Sequence, residues 1–171
     1  MNFDFSEEQD LLREQARRFL GDQGAVTRAR KLLDDGGGYD RELWQGMAEL
    51  GWLGAALPER YGGAGLGYVD LCVLAEEIGR ANAAVPFSSS VYMAAEAIHR
   101  YGSDAHKDAW LTKLISGTAV GSFAANEDTG PLRIESLRTQ LTAGKVTGTK
   151  TPVTDGLQAD VLVTLVNSEQ G

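Results

Sequence analysis

The residues of this sequence that could do chemistry are two histidines, one cysteine, two pairs of neighbouring acids and a run of glycines. His99 and His106 lie seven positions apart without a cysteine or carboxylate cluster at ligand spacing, so we expect packing or surface roles instead of a metal site. Cys72 lies inside a helical pattern between two apolar neighbours. This position favours a small buried side chain over a reactive thiol.

The acidic pairs are Glu76 with Glu77 and Glu127 with Asp128. Neighbours on a helix point about 100° apart, so we do not expect the two carboxylates of a pair to share acid–base work. The loop at 62–67 has four glycines in six residues, but it lacks the Gly-Lys-Ser or Gly-Lys-Thr ending of a phosphate-binding loop. A structural turn is therefore predicted there.

The composition is that of a globular, acidic protein. The chain has 171 residues, and its 16 basic and 24 acidic side chains leave a net charge of −8. This acidity argues against general nucleic-acid binding and against docking on anionic lipid, because both depend on basic side chains. Apolar residues make up 43% of the chain, which is enough for a core without disulfides or metals.

The compartment is predicted from the cysteine count and the N-terminus. A single cysteine cannot form an internal disulfide, which indicates a reducing environment. The chain begins Met-Asn-Phe-Asp-Phe, without the basic start of a secretion signal, and no apolar run reaches the ~18 residues of a membrane helix. We therefore expect a cytoplasmic protein without a membrane span.

Helical periodicity and capping residues dominate the first two-thirds of the chain. Ser6 with Gln9 forms a capping box, and Asp40 is a candidate cap for a later helix. The predicted helices are one after Ser6, 26–33, one between Asp40 and Gly51, 68–80, 91–101 with a cap among 88–90, and one after Ser103 or Asp104. The apolar stretch 52–58 is predicted to be extended.

After Gly117 the pattern changes to short β-rich segments. Strands are predicted within 120–125, 137–141, 146–153 and 159–166, with a turn at Ala143 and Gly144. Helices followed by strands indicate an α+β chain, with a helical domain at 1–118 and the start of a β-barrel-like domain at 119–171. Three or four short strands leave open sheet edges, so we expect the β domain to be partial.

Several strings in this order resemble the acyl-CoA dehydrogenase family. They are FSEEQ at 5–9, LPERYGGAGL at 57–66 followed by Asp70 and EEIG at 76–79, GSD at 102–104 with WL at 110–111, and GTK at 148–150 followed by VTDG at 153–156 and AD at 159–160. The resemblance covers the whole chain. The segment VPFSSS at 85–90 is most similar to the small subunit of heteromeric, pimeloyl-CoA-type dehydrogenases.

The resemblance implies a three-part fold and a redox activity. The fold is an N-terminal helical domain, a middle β domain and a C-terminal helical bundle, of which the bundle is absent from this chain. The implied activity is the FAD-dependent oxidation of an acyl-CoA thioester to the 2,3-enoyl-CoA, with α-proton abstraction by a glutamate and hydride transfer to flavin N5. The resemblance further implies that an electron-transfer flavoprotein accepts the electrons, that the protein is a homo- or hetero-oligomer, and that it acts in fatty acid degradation.

The resemblance also assigns cofactor-binding residues. Phe123, Ala125 and Asn126 match the family's first flavin segment, and Asn126 keeps a side chain that can donate a hydrogen bond. Val153 and Thr154 match the second segment, in which the threonine hydroxyl serves flavin N5. The catalytic glutamate of the family belongs to the C-terminal domain, so this chain supplies none and is expected to be inactive alone.

Two departures from the family pattern leave a second hypothesis open. Asp128 replaces a proline and the following Gly-Ser-Asp is missing, while Pro152 replaces the tryptophan that shields the flavin ring. These changes favour a non-catalytic partner subunit or interaction module as the alternative. Residues 88–93 match one wall of the acyl pocket, but a helix cap and core face is an equal interpretation of the same segment.

Overall fold

The computed structural model describes residues 4–168 of the chain. The α-helices are α1 (Glu7–Asp22), α2 (Ala25–Asp34), α3 (Arg41–Glu49), α4 (Tyr68–Arg80), α5 (Glu96–Tyr101) and α6 (Asp104–Ile115). Short 3₁₀ helices lie at Trp52–Gly54, Glu59–Tyr61 and Ile134–Ser136, and a π-helix lies at Ser88–Ala95. The strands are β1 (Gly121–Ala124), β2 (Gln140–Thr142), β3 (Lys145–Thr147), β4 (Val161–Thr164) and β5 (Asn167–Ser168). This order of helices and then strands confirms the predicted α+β class.

Two ends of the chain lie outside the described residues. They are residues 1–3, on which part of the prediction about a secretion signal rests, and residues 169–171, which follow the last predicted strand. Within 4–168, no helix combines the length and the apolar content that crossing a bilayer requires.

Local capping explains where the helices begin. The Ser6 hydroxyl accepts from the Gln9 amide at 3.2 Å and the Gln9 side chain accepts from the Ser6 amide at 3.1 Å, which confirms the predicted capping box of α1. The Asp40 carboxylate accepts from the Leu43 amide at 3.0 Å at the start of α3. Ser103 caps α6, and α4 spans the predicted residues 68–80.

The buried residues form two neighbouring apolar clusters. The first joins α1, α3 and α4 through side chains such as Leu20, Trp44 and Leu74. The second surrounds Leu111 and Leu114 of α6. Strand β1 packs against the π-helix so closely that a Cβ on Gly121 would lie 2.6 Å from the Ala94 side chain, so glycine is required there.

The strands form two small sheets. β1 pairs with β4 in parallel, from Gly121 opposite Val161 to Ala124 opposite Thr164. β2 pairs with β3 in an antiparallel hairpin and with β5 in parallel. The hairpin turns at Ala143 and Gly144, whose φ angles of 49° and 75° are those of a tight two-residue turn. The predicted turn is confirmed.

The prediction of an extended stretch at 52–58 was wrong. Gly51, with φ at 77°, leads into a 3₁₀ helix at Trp52–Gly54, and the Leu57 amide continues the turns by donating to the Gly54 carbonyl at 3.0 Å. The apolar composition was interpreted as an extended segment, but the turns bury Trp52 and Leu53 between the helices.

The helix predicted at 91–101 begins earlier, and its first part is a π-helix instead of an α-helix. A π-helix spans Ser88–Ala95, and only Glu96–Tyr101 is α-helical. Ser89 and Ser90 therefore lie inside the helix and are buried, so their prediction as caps was wrong. The physical reason is that their hydroxyls bond to the β part of the chain, as described below.

Two further predictions need correction. Of the strand predicted at 146–153, only residues 146 and 147 pair, as part of β3, and the Thr151 amide bonds instead to the Asn126 carbonyl beyond β1. Cys72 was expected to be buried and is exposed. Its apolar neighbours at 71 and 73 point about 100° away from it on α4, so they do not place residue 72 on the buried face.

Candidate functional site

The candidate site is built where two segments far apart in the chain meet. One segment leaves β1 through Ala125 and Asn126, and the other, at 150–154, precedes β4. The Thr151 amide donates to the Asn126 carbonyl at 2.9 Å, and the Lys150 ammonium donates to the Ala125 carbonyl at 3.1 Å. The 150–154 segment runs back along β1, from Asn126 toward Ser122, whose hydroxyl donates to the Thr154 carbonyl at 2.5 Å.

The five residues predicted to bind a cofactor therefore lie on adjoining segments. Phe123, Ala125, Asn126 and Val153 are half-buried, whereas Thr154 is exposed. Their side chains do not surround one cavity. Asn126 lines an open depression of about 420 Å³, and Val153 lines a separate one of about 440 Å³.

The polar side chains of this set are available to a ligand. Within residues 4–168, neither the side-chain amide of Asn126 nor the hydroxyl of Thr154 forms a hydrogen bond with the protein. An unengaged amide and an unengaged hydroxyl are donors of the kind that the nitrogen and oxygen atoms of a flavin ring accept. The donor set present thus fits a flavin in its chemistry.

The Glu127 carboxylate is engaged in hydrogen bonds and an ion pair with neighbouring groups of the protein. Its carboxylate accepts from the Thr139 hydroxyl at 2.7 Å, from the Thr139 amide at 2.8 Å and from the Arg138 amide at 2.7 Å, and it pairs with Lys150 at 3.0 Å. The Thr139 hydroxyl and the two amides hold the pKa of Glu127 far below its usual range. This acid is locked in its ionised form and fixes the chain after Asn126, so it is not available as a base.

Sequence reasoning missed the side chains that support the site. Lys150 was recognised only as part of a family string, yet it touches both the first segment and Glu127. Ser122 donates to the Thr154 carbonyl at 2.5 Å, and Ser89 donates to the Asp155 carboxylate at 2.5 Å. Ser89 lies within the serine run at 88–90, which was interpreted only as a source of helix caps, and no sequence pattern distinguished Ser122.

The segment 88–93 combines a buried side with an exposed one. Ser89, Ser90 and Val91 are buried, whereas Tyr92 and Met93 are 43% and 45% exposed. Burial raises the pKa of the Tyr92 phenol. The buried residues agree with the interpretation of this segment as a core face.

The glycine loop is a structural turn, as predicted. Its backbone amides are used inside the protein: the Ala64 amide donates to the Gly54 carbonyl at 3.0 Å, and the Leu66 amide donates to the Ala55 carbonyl at 2.8 Å. A Cβ on Gly63 would lie 2.1 Å from the Leu57 carbonyl oxygen. Amides that already donate to carbonyls cannot cradle a phosphate. Among the residues at 4–168, no three metal-ligating side chains converge.

Comparison with known proteins agrees with this arrangement. The family model described as "Acyl-CoA dehydrogenase, N-terminal domain" matches residues 6–118. The mitochondrial isovaleryl-CoA dehydrogenase of Pongo abelii is 34% identical over 174 residues, a region that covers 96% of this chain and 40% of that protein. The chain therefore belongs to the acyl-CoA dehydrogenase family, and it spans 40% of the length of this curated relative.

Solved structures share the fold as well. A chain of the ChsE4–ChsE5 complex from Mycobacterium tuberculosis matches with a TM-score of 0.87 and 28% identity, covering 100% of this chain and 47% of that one. An acyl-CoA dehydrogenase complexed with FAD from Bacillus anthracis matches with a TM-score of 0.80 and 25% identity, covering 97% of this chain and 30% of that one. The predicted family and fold are confirmed.

Proposed function

We propose that this chain is the N-terminal portion of an FAD-dependent acyl-CoA dehydrogenase that oxidises an acyl-CoA thioester to the 2,3-enoyl-CoA. The observation that carries the proposal is the hydrogen bond from the Thr151 amide to the Asn126 carbonyl, which joins the two segments that resemble the family's flavin segments. The FAD complex of the Bacillus anthracis relative and the isovaleryl-CoA dehydrogenase relative support it.

In this proposal the chain binds and orients the cofactor. Phe123, Ala125 and Val153 supply half-buried contact surface, while the Asn126 amide and the Thr154 hydroxyl supply hydrogen-bond donors. FAD, when bound, supplies the hydride acceptor. Donors held in place before the reaction stabilise developing charge without reorganising, which is what a flavin-reducing site needs from its protein.

The catalytic base is proposed to lie outside this chain. Glu127 is ionised but saturated with donors, and the Asp155 carboxylate accepts from a buried serine. The thioester α-proton is weakly acidic, so its removal needs a base facing a polarised carbonyl in a dry cleft. The glutamate that resemblance assigns to the C-terminal domain would serve there.

The domain division and the assembly are part of the same proposal. We place a helical domain at 1–118 and part of a middle β domain at 119–171, a division supported by the family match that ends at 118. We propose a homo- or hetero-oligomer in the cytoplasm that acts in fatty acid degradation and passes electrons to an electron-transfer flavoprotein. The heteromeric relative and a similar structure described as an electron transferring flavoprotein of Acidaminococcus fermentans support these partners.

A non-catalytic partner subunit is the second candidate. Pro152 lies exposed beside Val153, where the family resemblance would place the shielding tryptophan. The stretch after Asp128 lacks the Gly-Ser-Asp string and is exposed through Ser136. Both features remove contacts that a flavin or a CoA thioester would use.

The test is a titration of the full-length protein, which includes the part proposed to carry the base, with FAD, followed through its visible absorption spectrum. Saturable binding with a perturbed flavin band, and bleaching of that band by a member of an acyl-CoA panel, support the dehydrogenase. Thr154→Val is the matched variant, because it keeps the shape of the side chain and removes the hydroxyl. Saturable binding without bleaching favours the partner subunit, and the absence of binding contradicts a flavoprotein.

A further inference from the structure

Two buried serines of the chain donate hydrogen bonds to the same turn, at residues 153–156. Ser89, which is 0% exposed within the π-helix, donates to the Asp155 carboxylate at 2.5 Å. Ser122, which is 0% exposed on β1, donates to the Thr154 carbonyl at 2.5 Å. The turn is thereby attached both to the helical part of the chain and to the strand that carries Phe123.

The turn itself has a conformation that needs support. Asp155 has a φ of 54°, in the left-handed region that side chains other than glycine adopt at a cost. The Gly156 amide donates to the Val153 carbonyl at 3.2 Å, and the Gln158 amide donates to the Asp155 carbonyl at 3.0 Å. These local bonds close the turn but do not attach it to the rest of the molecule.

The Ser89 hydroxyl does more than find a hydrogen-bond partner within its own helix. The Pro86 carbonyl lies 3.2 Å from the Ser89 hydroxyl and would be a sufficient acceptor within the helix. The shorter bond instead goes to Asp155, 66 positions away, whose carboxylate accepts more strongly than a carbonyl does. The hydroxyl therefore acts on the turn.

From this geometry we infer that Ser89 and Ser122 are positioning residues, which fix the backbone of Thr154 and Asp155 and so orient the Thr154 hydroxyl for its cofactor. The inference rests on the proposed function for the role of Thr154, and on the structure alone for the attachment of the turn. It gives the helical domain a direct part in shaping the cofactor site. A change at Ser89 in the π-helix would reach Asp155 through a single hydrogen bond, and through it the adjacent Thr154.

The first arm of the test uses the full chain without FAD. Amide hydrogen exchange at Gly156 and Gln158 is compared in the wild type, Ser89→Ala, Ser122→Ala and the control Ser90→Ala. Ser90 is an equally buried serine whose hydroxyl accepts from the Gly121 amide at 3.0 Å and does not touch the turn. Exchange about tenfold faster in the first two variants and unchanged in Ser90→Ala is expected. Equal exchange in all three would overturn the inference.

The second arm adds FAD and uses the conservative change at Asp155. Asp155→Asn keeps an acceptor for Ser89 and tolerates a positive φ, whereas Asp155→Gly keeps only the backbone freedom. We expect near wild-type FAD affinity and flavin spectrum for Asp155→Asn, and roughly five- to tenfold weaker binding for Asp155→Gly and Ser89→Ala. Equal weakening by Asp155→Asn, or by Ser90→Ala, would overturn the positioning role.

The two arms separate this inference from the proposed function. If the wild type binds no FAD, the proposed function fails, while the exchange arm still decides whether the serines hold the turn. If the wild type binds FAD and the serine variants match it in both arms, the proposed function stands and the inference fails.

Discussion

The Arg17 guanidinium donates two hydrogen bonds to the Glu77 carboxylate, at 2.8 and 3.2 Å, and so ties α1 to α4 across 60 positions of sequence. Glu77 is 0% exposed. Arg80 donates to the same carboxylate at 2.7 Å, and an Arg13 nitrogen lies 3.6 Å from it. A buried carboxylate surrounded by arginines is thus the polar centre of the contact between these helices.

Removing this carboxylate should destabilise the fold. Glu77→Ala leaves Arg17 and Arg80 without their buried acceptor, and we expect the free energy of unfolding to fall by about 2–4 kcal/mol. The matched control is Glu76→Ala, since Glu76 pairs with Arg13 at 2.7 Å but is 59% exposed, so its loss should cost less than about 1 kcal/mol. Urea denaturation measures both, and equal losses would contradict a special role for Glu77.

The same carboxylate should make stability depend on acid pH. Hydrogen bonding from Arg17 lowers the pKa of Glu77 from 4.5 to about 2. A lowered pKa means that the folded state binds this proton less readily than the unfolded chain, so its stabilisation is complete above pH 4.5 and is lost as the pH falls toward 2.

The measurement compares the free energy of unfolding against pH in the wild type and in Glu77→Gln. The wild type should lose its advantage over the variant across that window, and the two curves should run parallel above it. Asp40, whose pKa Arg28 also holds below its usual value, contributes to both curves alike. A constant difference down to pH 2 would show that Glu77 is not the titrating group.

The glycine loop should tolerate no side chain at its closest contact. In Gly63→Ala the new Cβ would lie 2.1 Å from the Leu57 carbonyl oxygen, which is backbone and cannot move aside, so we expect a loss of about 3 kcal/mol. Gly21 lies in α1, where an added Cβ would meet no atom within 4 Å, so Gly21→Ala should stabilise by about 0.5–1 kcal/mol. Thermal unfolding measures both, and a Gly63→Ala midpoint at or above wild type would contradict a steric requirement for glycine.

Lys150 should matter for cofactor binding more than an ordinary surface lysine does. Its ammonium donates to the Ala125 carbonyl and to Glu127, so Lys150→Met removes two of the hydrogen bonds that join the two segments of the candidate site. We expect roughly tenfold weaker FAD binding by titration. Lys145→Met, at an exposed position of β3, is the control and should leave the affinity unchanged. Equal affinity in both variants would remove Lys150 from the site.

Features that depend on residues close in sequence were predictable. The capping box of Ser6 and Gln9 and the bounds of α4 at 68–80 follow from spacings of three and four, which a helix brings onto one side of itself. The order of the family strings predicted the fold and the region of the candidate site. Cys72 was misplaced because apolar neighbours in sequence are not neighbours on a helix face.

The site could be predicted only as two separate segments. Strings around Phe123 and Thr154 were recognisable, but nothing local indicated that Thr151 would bond to Asn126 or that Lys150 would bond to Glu127. The strand predicted through 146–153 formed only in its first residues for the same reason, since the Thr151 amide bonds to the distant Asn126 carbonyl instead of a sheet partner.

The amino-acid sequence by itself determined most of the helices, the caps at Ser6, Asp40 and Ser103, the acidic character of the chain and its family. Only the tertiary structure decided how Ser89 meets Asp155, how Ser122 meets Thr154 and how Glu77 becomes buried between α1 and α4. The physical reason is the distance along the sequence between the residues that interact. Periodicity and capping operate within one or two helical turns, whereas these polar contacts join residues 32 to 66 positions apart and exist only once the core has set the path of the chain.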